Sequence, residues 1–212
     1  LAVSPRILLM DEPLAALDMP RKQEILPFLE RVRDELAIPM IYVTHAADEV
    51  ARLADHIVVM AQGKVVANGP LSDILTRLDL PIYPGKEAGV VLQAHITERD
   101  PRWHLAKAEF PGGSLWIRDM GHQQGRLVRL WVLARDVSLT LEQAQDQSSI
   151  LNVLPAVVSK LAEGEHPAIN MAQIQVGEST LLCRLTARSA HALGLETGTP
   201  VWVQIKSAVI IE

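Results

Sequence analysis

Two adjacent carboxylates, Asp11 and Glu12, stand at the end of the apolar run Ile7-Leu8-Leu9-Met10, and Pro13 follows them. Side by side, two carboxylates can take different tasks. One can hold a hydrated Mg²⁺ against phosphate oxygens, and the other can orient and deprotonate an attacking water. A second apolar run, Met40-Ile41-Tyr42-Val43, ends in Thr44-His45, so His45 lies 34 residues after Asp11. An imidazole in that position can touch a terminal phosphate. The plainer alternatives are an acidic turn after a core strand and a solvated histidine.

For these three side chains to meet, both runs must be strands of one sheet. Short continuous apolar runs separated by helical spacing describe such a sheet. Pro20 opens a helix to about Leu36, in which Ile25, Phe28, Leu29, Val32 and Leu36 recur three and four apart. A helix over Ala46–Ala54 follows the second strand, and His56–Met60 is a third strand. Gln62-Gly63 turns into Lys64–Ala67, Gly69-Pro70 closes that stretch, and Leu71–Leu78 is a short helix. The pattern predicts an α/β unit with a mostly parallel sheet covered on both faces. Ligands of such sheets bind beyond the carboxyl ends of the strands, where Asp11, Glu12 and His45 fall.

Leu80-Pro81-Ile82-Tyr83-Pro84-Gly85 reads as a linker, which places one domain over 1–85 and a second over 86–212. The second domain consists of short strands separated by turn residues: Val90–Thr97, Trp103–Glu109, Ser114–Ile117, Leu127–Val132 and Val137–Leu141. After a polar stretch, Glu142–Ser149, come Val153–Leu161, Ala168–Val176, Thr180–Leu185 and Val201–Ile211, with one helix near Ser189–Leu193. This predicts one or two small β-barrels. Trp103, Trp116, Trp131 and Trp202 are expected to pack in their cores.

Composition excludes several classes. Residues 1–85 carry 8 basic and 12 acidic side chains, and residues 86–212 carry 12 and 13, so neither half has the basic excess of a nucleic-acid binder. The single cysteine, Cys183, lies in the run Leu181-Leu182-Cys183; no internal disulfide can form, and a buried thiol is expected. No apolar run approaches the roughly 20 residues needed to span a bilayer.

The first half resembles the ABC ATPase family. Ile7-Leu8-Leu9-Met10-Asp11-Glu12 is similar to its Walker B strand, which implies Asp11 for Mg²⁺ through water and Glu12 as general base. Ala15-Ala16-Leu17-Asp18 is similar to the D-loop, with Ala15 in place of the usual serine, and implies that Asp18 communicates across an ATPase dimer around ATP. Thr44-His45 is similar to the switch histidine, which contacts the γ-phosphate. Ala54-Asp55-His56-Ile57, Gln62-Gly63-Lys64-Val65 and Asn68-Gly69-Pro70 continue the resemblance over about 75 residues in order. The phosphate-binding loop Gly-x-x-x-x-Gly-Lys-[Ser/Thr], the glutamine loop and the Leu-Ser-Gly-Gly signature are absent from these 212 residues. In the family all three precede the Walker B strand, with the signature helix just before a stretch such as Leu1–Pro5. With Leu1 in place of Met, this implies loss of roughly 140 N-terminal residues, and a fragment inactive alone.

The second half resembles the Mop-type (TOBE) domain of molybdate-importer ATPases, with 148–212 as its core. Ser148-Ser149-Ile150-Leu151-Asn152-Val153-Leu154, Leu185-Thr186-Ala187-Arg188-Ser189-Ala190-His191-Ala192-Leu193-Gly194-Leu195 and Val203-Gln204-Ile205-Lys206-Ser207 carry the likeness. It implies an OB-like barrel with an oxyanion site for molybdate or tungstate drawn from Ser149, Asn152, Thr186, Ser189, Lys206 and Ser207, hydroxyls and a cation that suit a tetrahedral oxyanion. Leu151 stands where the family often has arginine. The resemblance further implies a homodimer, an integral membrane permease as partner, indirect contact with a periplasmic oxyanion-binding protein, and a peripheral place on the cytoplasmic face of a bacterial inner membrane. Two other readings stay open: a molybdate-binding module without catalysis, and an ABC ATPase for sulfate, phosphate or a sugar.

Overall fold

The chain begins with β1 (Leu8–Asp11), α1 (Met19–Leu36) and β2 (Met40–Val43), followed by α2 (Ala47–Leu53), β3 (His56–Ala61), β4 (Lys64–Pro70) and α3 (Leu71–Leu75). The computed structural model describes residues 5–36, 38–80, 88–143 and 148–211. The expected linker over 80–85 lies outside them except for Leu80, as do Leu1–Pro5 except for Pro5 and the middle of the polar stretch 142–149.

β1 and β2 pair in parallel, with Leu8 opposite Met40 and Asp11 opposite Val43. α1 is the crossover that a parallel pair requires. Leu26 and Leu53 are buried with Leu14 between α1, α2 and the strand pair, and Leu29, Met40 and Tyr42 pack around them. The apolar face of α1 is therefore centred on Leu26, while Phe28, expected in the stripe, is 61% exposed.

The expected parallel sheet amounts, among the described residues, to this one pair. β3 pairs antiparallel with β4, not with β2. Nor are both faces covered: Leu9, Ile41, Val43, Val58, Met60 and Val65 are exposed, because alternate side chains of a strand point to opposite faces and only one face meets the helices.

The remaining residues form β5 (Gly89–Asp100), β6 (Leu105–Phe110), β7 (Gly113–Arg118), β8 (Leu127–Leu133), β9 (Val137–Thr140), β10 (Asn152–Glu163), β11 (Ile169–Val176), β12 (Ser179–Thr186), α4 (Ala187–Ala192), β13 (Pro200–Ile205) and β14 (Val209–Ile211). They make two five-stranded antiparallel sheets in the orders β14-β8-β5-β6-β7 and β9-β13-β10-β11-β12. The orders are equivalent. Each sheet has a 12-residue central strand, two successive hairpin strands on one side and a fourth strand on the other. The fifth strands are exchanged: β9 follows β8 in the chain but pairs with β13, and β14 follows β13 but pairs with β8. The single strand expected over Val201–Ile211 is thus two strands in different sheets, separated at Lys206-Ser207-Ala208.

One continuous core unites the two sheets, from Val90, Ile96 and Leu130 to Ile174, Val203 and Ile205. Backbones also touch directly. A Cβ on Gly177, at φ +57°, would stand 2.7 Å from the Cα of Gly112, and the Glu178 N–H donates to the Pro111 carbonyl. Cys183 is buried, with its thiol 3.1 Å from the Val137 carbonyl. Trp103 departs from expectation: it lies in the turn before β6, 63% exposed, with the Arg102 guanidinium over its ring.

The two sheets are attached to the α/β part. Ala51, Leu71 and Leu75 of α2 and α3 bury against Val91 and Ile211. Arg129 of β8 donates to the Ala54 carbonyl and pairs with Asp55, and Gln173 of β11 donates to the Thr76 carbonyl. None of the helices among the described residues is long and apolar enough to cross a membrane.

Candidate functional site

The parallel ladder carries the site. Asp11 and Val43 are register partners, and the residue just after β1, Glu12, donates its N–H to the Val43 carbonyl at 2.9 Å. His45 lies two residues beyond Val43, so the two chain ends leave the sheet side by side. Glu12 takes φ +46°, a left-handed conformation that a non-glycine residue adopts at a cost and that recurs at functional sites. Its Oε1 stands 2.6 Å from Nδ1 of His45. An ionised carboxylate only accepts hydrogen bonds, so Nδ1 carries the hydrogen and Nε2 is left for another partner. The imidazole is 84% exposed and Glu12 about a third exposed, so this pair opens outward.

Asp11 is exposed at the same edge. Asp18 ends the loop after β1. Its carboxylate accepts from the Arg21 N–H at 3.0 Å and its carbonyl from the Lys22 N–H, which caps α1. The structure thus brings Glu12 and His45 into contact, sets Asp11 beside Glu12, and places Asp18 at the start of the crossover helix.

Sequence reasoning missed a buried group behind this edge. Glu49 on α2 is 1% exposed. It accepts from Lys22 at 2.8 Å, Thr44 at 2.7 Å and Tyr42 at 3.0 Å. Burial pushes its carboxyl up, but the bonds from Lys22, Thr44 and Tyr42 outweigh this and hold it below its ordinary value. The same contact raises Lys22, and burial followed by the Glu49 bond raises Tyr42. The available signal was its place one helical turn after His45.

The candidate oxyanion residues do not form one cluster. Thr186 is the N-cap of α4: its Oγ1 accepts from the Ser189 N–H at 3.0 Å and lies 2.7 Å from Ser189 Oγ. Lys206 and Ser207 are exposed just past Ile205, whose register partner is Asn152, so they neighbour the entry of Ser149 and Leu151 into β10. No side-chain hydrogen bond among the described residues joins these two groups. Asn152 is engaged within the fold. It is 7% exposed, and its amide accepts from Trp116 N–H at 2.7 Å and donates to the Trp116 carbonyl at 3.0 Å. A longer contact of 3.5 Å reaches the Ile205 carbonyl. The two Trp116 bonds stitch β7 to β10.

Comparison with known proteins adds the following. Residues 148–211 match the TOBE domain family. The whole chain aligns with a protein of Methylococcus capsulatus named molybdenum import ATP-binding protein ModC, at 59% identity and covering 59% of that protein. The protein of the same name from Thiobacillus denitrificans is 57% identical, with 58% of its length covered. The chain therefore spans under three fifths of the length of the curated relatives it matches. A solved structure of the cytoplasmic molybdate-binding protein ModG superposes with a TM-score of 0.48 at 18% identity, over 57% of this chain and 95% of that one.

Proposed function

The close homologues of this chain are molybdenum import ATP-binding proteins, and on that premise we propose that it forms part of the ATPase subunit of an ABC importer for molybdate. The observation that carries the reading is the 2.6 Å pairing of Glu12 with His45 at the carboxyl edge of a parallel strand pair, with Asp11 beside it.

Asp11 suits Mg²⁺ in the way that ion is held in nucleotide sites, by one or two carboxylates with the remaining positions left to water and phosphate oxygens. The bound ion would neutralise phosphate charge. Glu12 takes the proton of a water as that water attacks the γ-phosphorus and the bond to the β–γ bridging oxygen breaks. His45, aligned by Glu12 through Nδ1, presents Nε2 toward the γ-phosphate. Asp18 relays between the two sites of a dimer, whose closing and reopening drives a membrane permease. The exposed apolar face of Leu9, Ile41 and Val43 suits cover by the part of the relatives' length that this chain does not span.

In the full-length subunit, Glu12→Gln is expected to lower ATP turnover by about 10²-fold or more while ATP binding persists, because the amide keeps the shape and loses the base. His45→Ala also cuts turnover. Wild-type turnover in Glu12→Gln would remove Glu12 as base. This chain alone, without the phosphate-binding loop, should show no micromolar ATP affinity by calorimetry.

The TOBE domain supports the substrate assignment and a sensing role. Ser149, Lys206 and Ser207 form one candidate half of an oxyanion site, and Thr186 and Ser189 the other; a second copy of the chain is the natural way to complete it. Titration of the chain with molybdate, with sulfate and phosphate as competitors, should give saturable binding that Lys206→Ala weakens about tenfold, equivalent to about 1.4 kcal/mol. Absence of binding in a folded, dimeric sample would leave the barrels structural and shift the cargo question to the permease.

A further inference from the structure

Behind the Glu12–His45 pair, three elements converge on one buried carboxylate. Lys22 comes from the first turns of α1, just after Asp18; Tyr42 and Thr44 come from the end of β2; Glu49 itself lies on α2. Thr44 is the pivotal contact. Its hydroxyl donates to Glu49 Oε2 at 2.7 Å and accepts from the Ala46 N–H at 3.1 Å. The residues on both sides of His45 are thereby held by one hydroxyl that is itself held by Glu49. The His45 imidazole is 84% exposed, so packing does not orient it; its direction comes from Glu12 in front and from the Thr44–Ala46 backbone behind.

We propose that Glu49 is a positioning residue for ATP hydrolysis: through Thr44 it fixes the segment that aims His45, and through Lys22 it ties that segment to the helix that begins at Asp18. This rests on the ATPase reading given above. A buried carboxylate on α2 with three donors from α1 and the end of β2 is a rigid joint, because losing any donor leaves charge or lone pairs unsatisfied in a site closed to water. The joint makes the switch histidine and the inter-subunit loop move together. Glu49 touches neither nucleotide nor water in this account, so its influence on the reaction passes entirely through its neighbours. The lowered carboxyl of Glu49 and the raised ammonium of Lys22 agree with a pair that stays ionised across the physiological range.

The test is a double-mutant cycle in the full-length subunit. Glu49→Ala should lower kcat by about 10- to 100-fold with little change in KM for ATP. In a His45→Ala background the same substitution should change the residual rate by less than about twofold, because groups acting through one another are not additive. Glu49→Gln, which keeps the shape, should recover part of the loss. Thr44→Val removes only the hydroxyl link and should reproduce the kcat defect; it decides the matter if Glu49→Ala does not fold. Equal losses in both backgrounds, or unchanged kcat in Glu49→Ala and Thr44→Val, would overturn the proposal. A wild-type subunit without turnover, or one indifferent to His45→Ala, would instead count against the ATPase reading.

Discussion

Asn152→Ala offers a direct measure of how the two five-stranded sheets are held together. β7 is an edge strand, and the Trp116 backbone on its outer side would face no neighbouring strand. The Asn152 amide supplies that missing neighbour, since a side-chain amide presents the same donor and acceptor pair as a peptide group. Truncation leaves the Trp116 N–H and carbonyl without their bonds of 2.7 and 3.0 Å at a site 7% exposed. Each of the two orphaned groups costs about 1–3 kcal/mol, and the 3.5 Å contact to Ile205 adds little, so the expected loss is about 2–6 kcal/mol. For a chain of this size that is a fall of about 4–24 °C in Tm. Asn152→Asp keeps the acceptor for Trp116 N–H but sets a carboxylate against two carbonyl oxygens. Its deficit should be large at neutral pH and shrink as pH falls through the carboxylate range, where the protonated acid can donate. Urea unfolding followed by tryptophan fluorescence and far-UV circular dichroism reads both variants. A loss under about 0.5 kcal/mol in Asn152→Ala would refute the reasoning. Loss of molybdate binding with unchanged stability would return Asn152 to the anion site.

Two further outcomes follow from buried titratable groups. Cys183, whose thiol burial pushes up to about 12, should resist thiol reagents in the native state and label at the rate of unfolding; because its folded value lies above the unfolded one, its share of stability is complete below about pH 8.5 and is lost as pH rises toward 12. Rapid native-state labelling would contradict the burial. Glu49 works in the opposite sense: its folded value is lowered from 4.5, so its contribution is complete above that pH and is lost as the solution is acidified through the lower folded value. Acid unfolding of the α/β part should therefore shift to higher midpoint pH in Lys22→Met, and an unchanged midpoint would show that the Lys22 contact does not hold Glu49 ionised.

The sequence by itself determined the local elements and which residues meet at the carboxyl edge of the strand pair. Apolar runs bounded by Pro39, by Gln62-Gly63 and by Gly69-Pro70 located β1 to β4, because strand burial and turn chemistry are read residue by residue. Two parallel strands joined by one helix leave their carboxyl ends together, so Asp11, Glu12 and His45 could be brought to one edge from spacing alone. Only the tertiary structure decided the rest. Nothing local distinguishes β9 and β14 from strands that stay in their own sheet, and their exchange depends on a register more than 60 residues away, which periodicity does not encode. Phe28 lies on the expected apolar stripe of α1 but faces out, since the helix buries only what the neighbouring elements cover. Asn152 reads as a polar ligand in sequence because its partner, the Trp116 backbone, is 36 residues distant. Glu49 reads as a solvated charge in the first turn of a helix until Lys22, Tyr42 and Thr44 close over it. Whether a polar side chain serves a ligand or the fold is set by which donors and acceptors surround it, and only the packed chain supplies them.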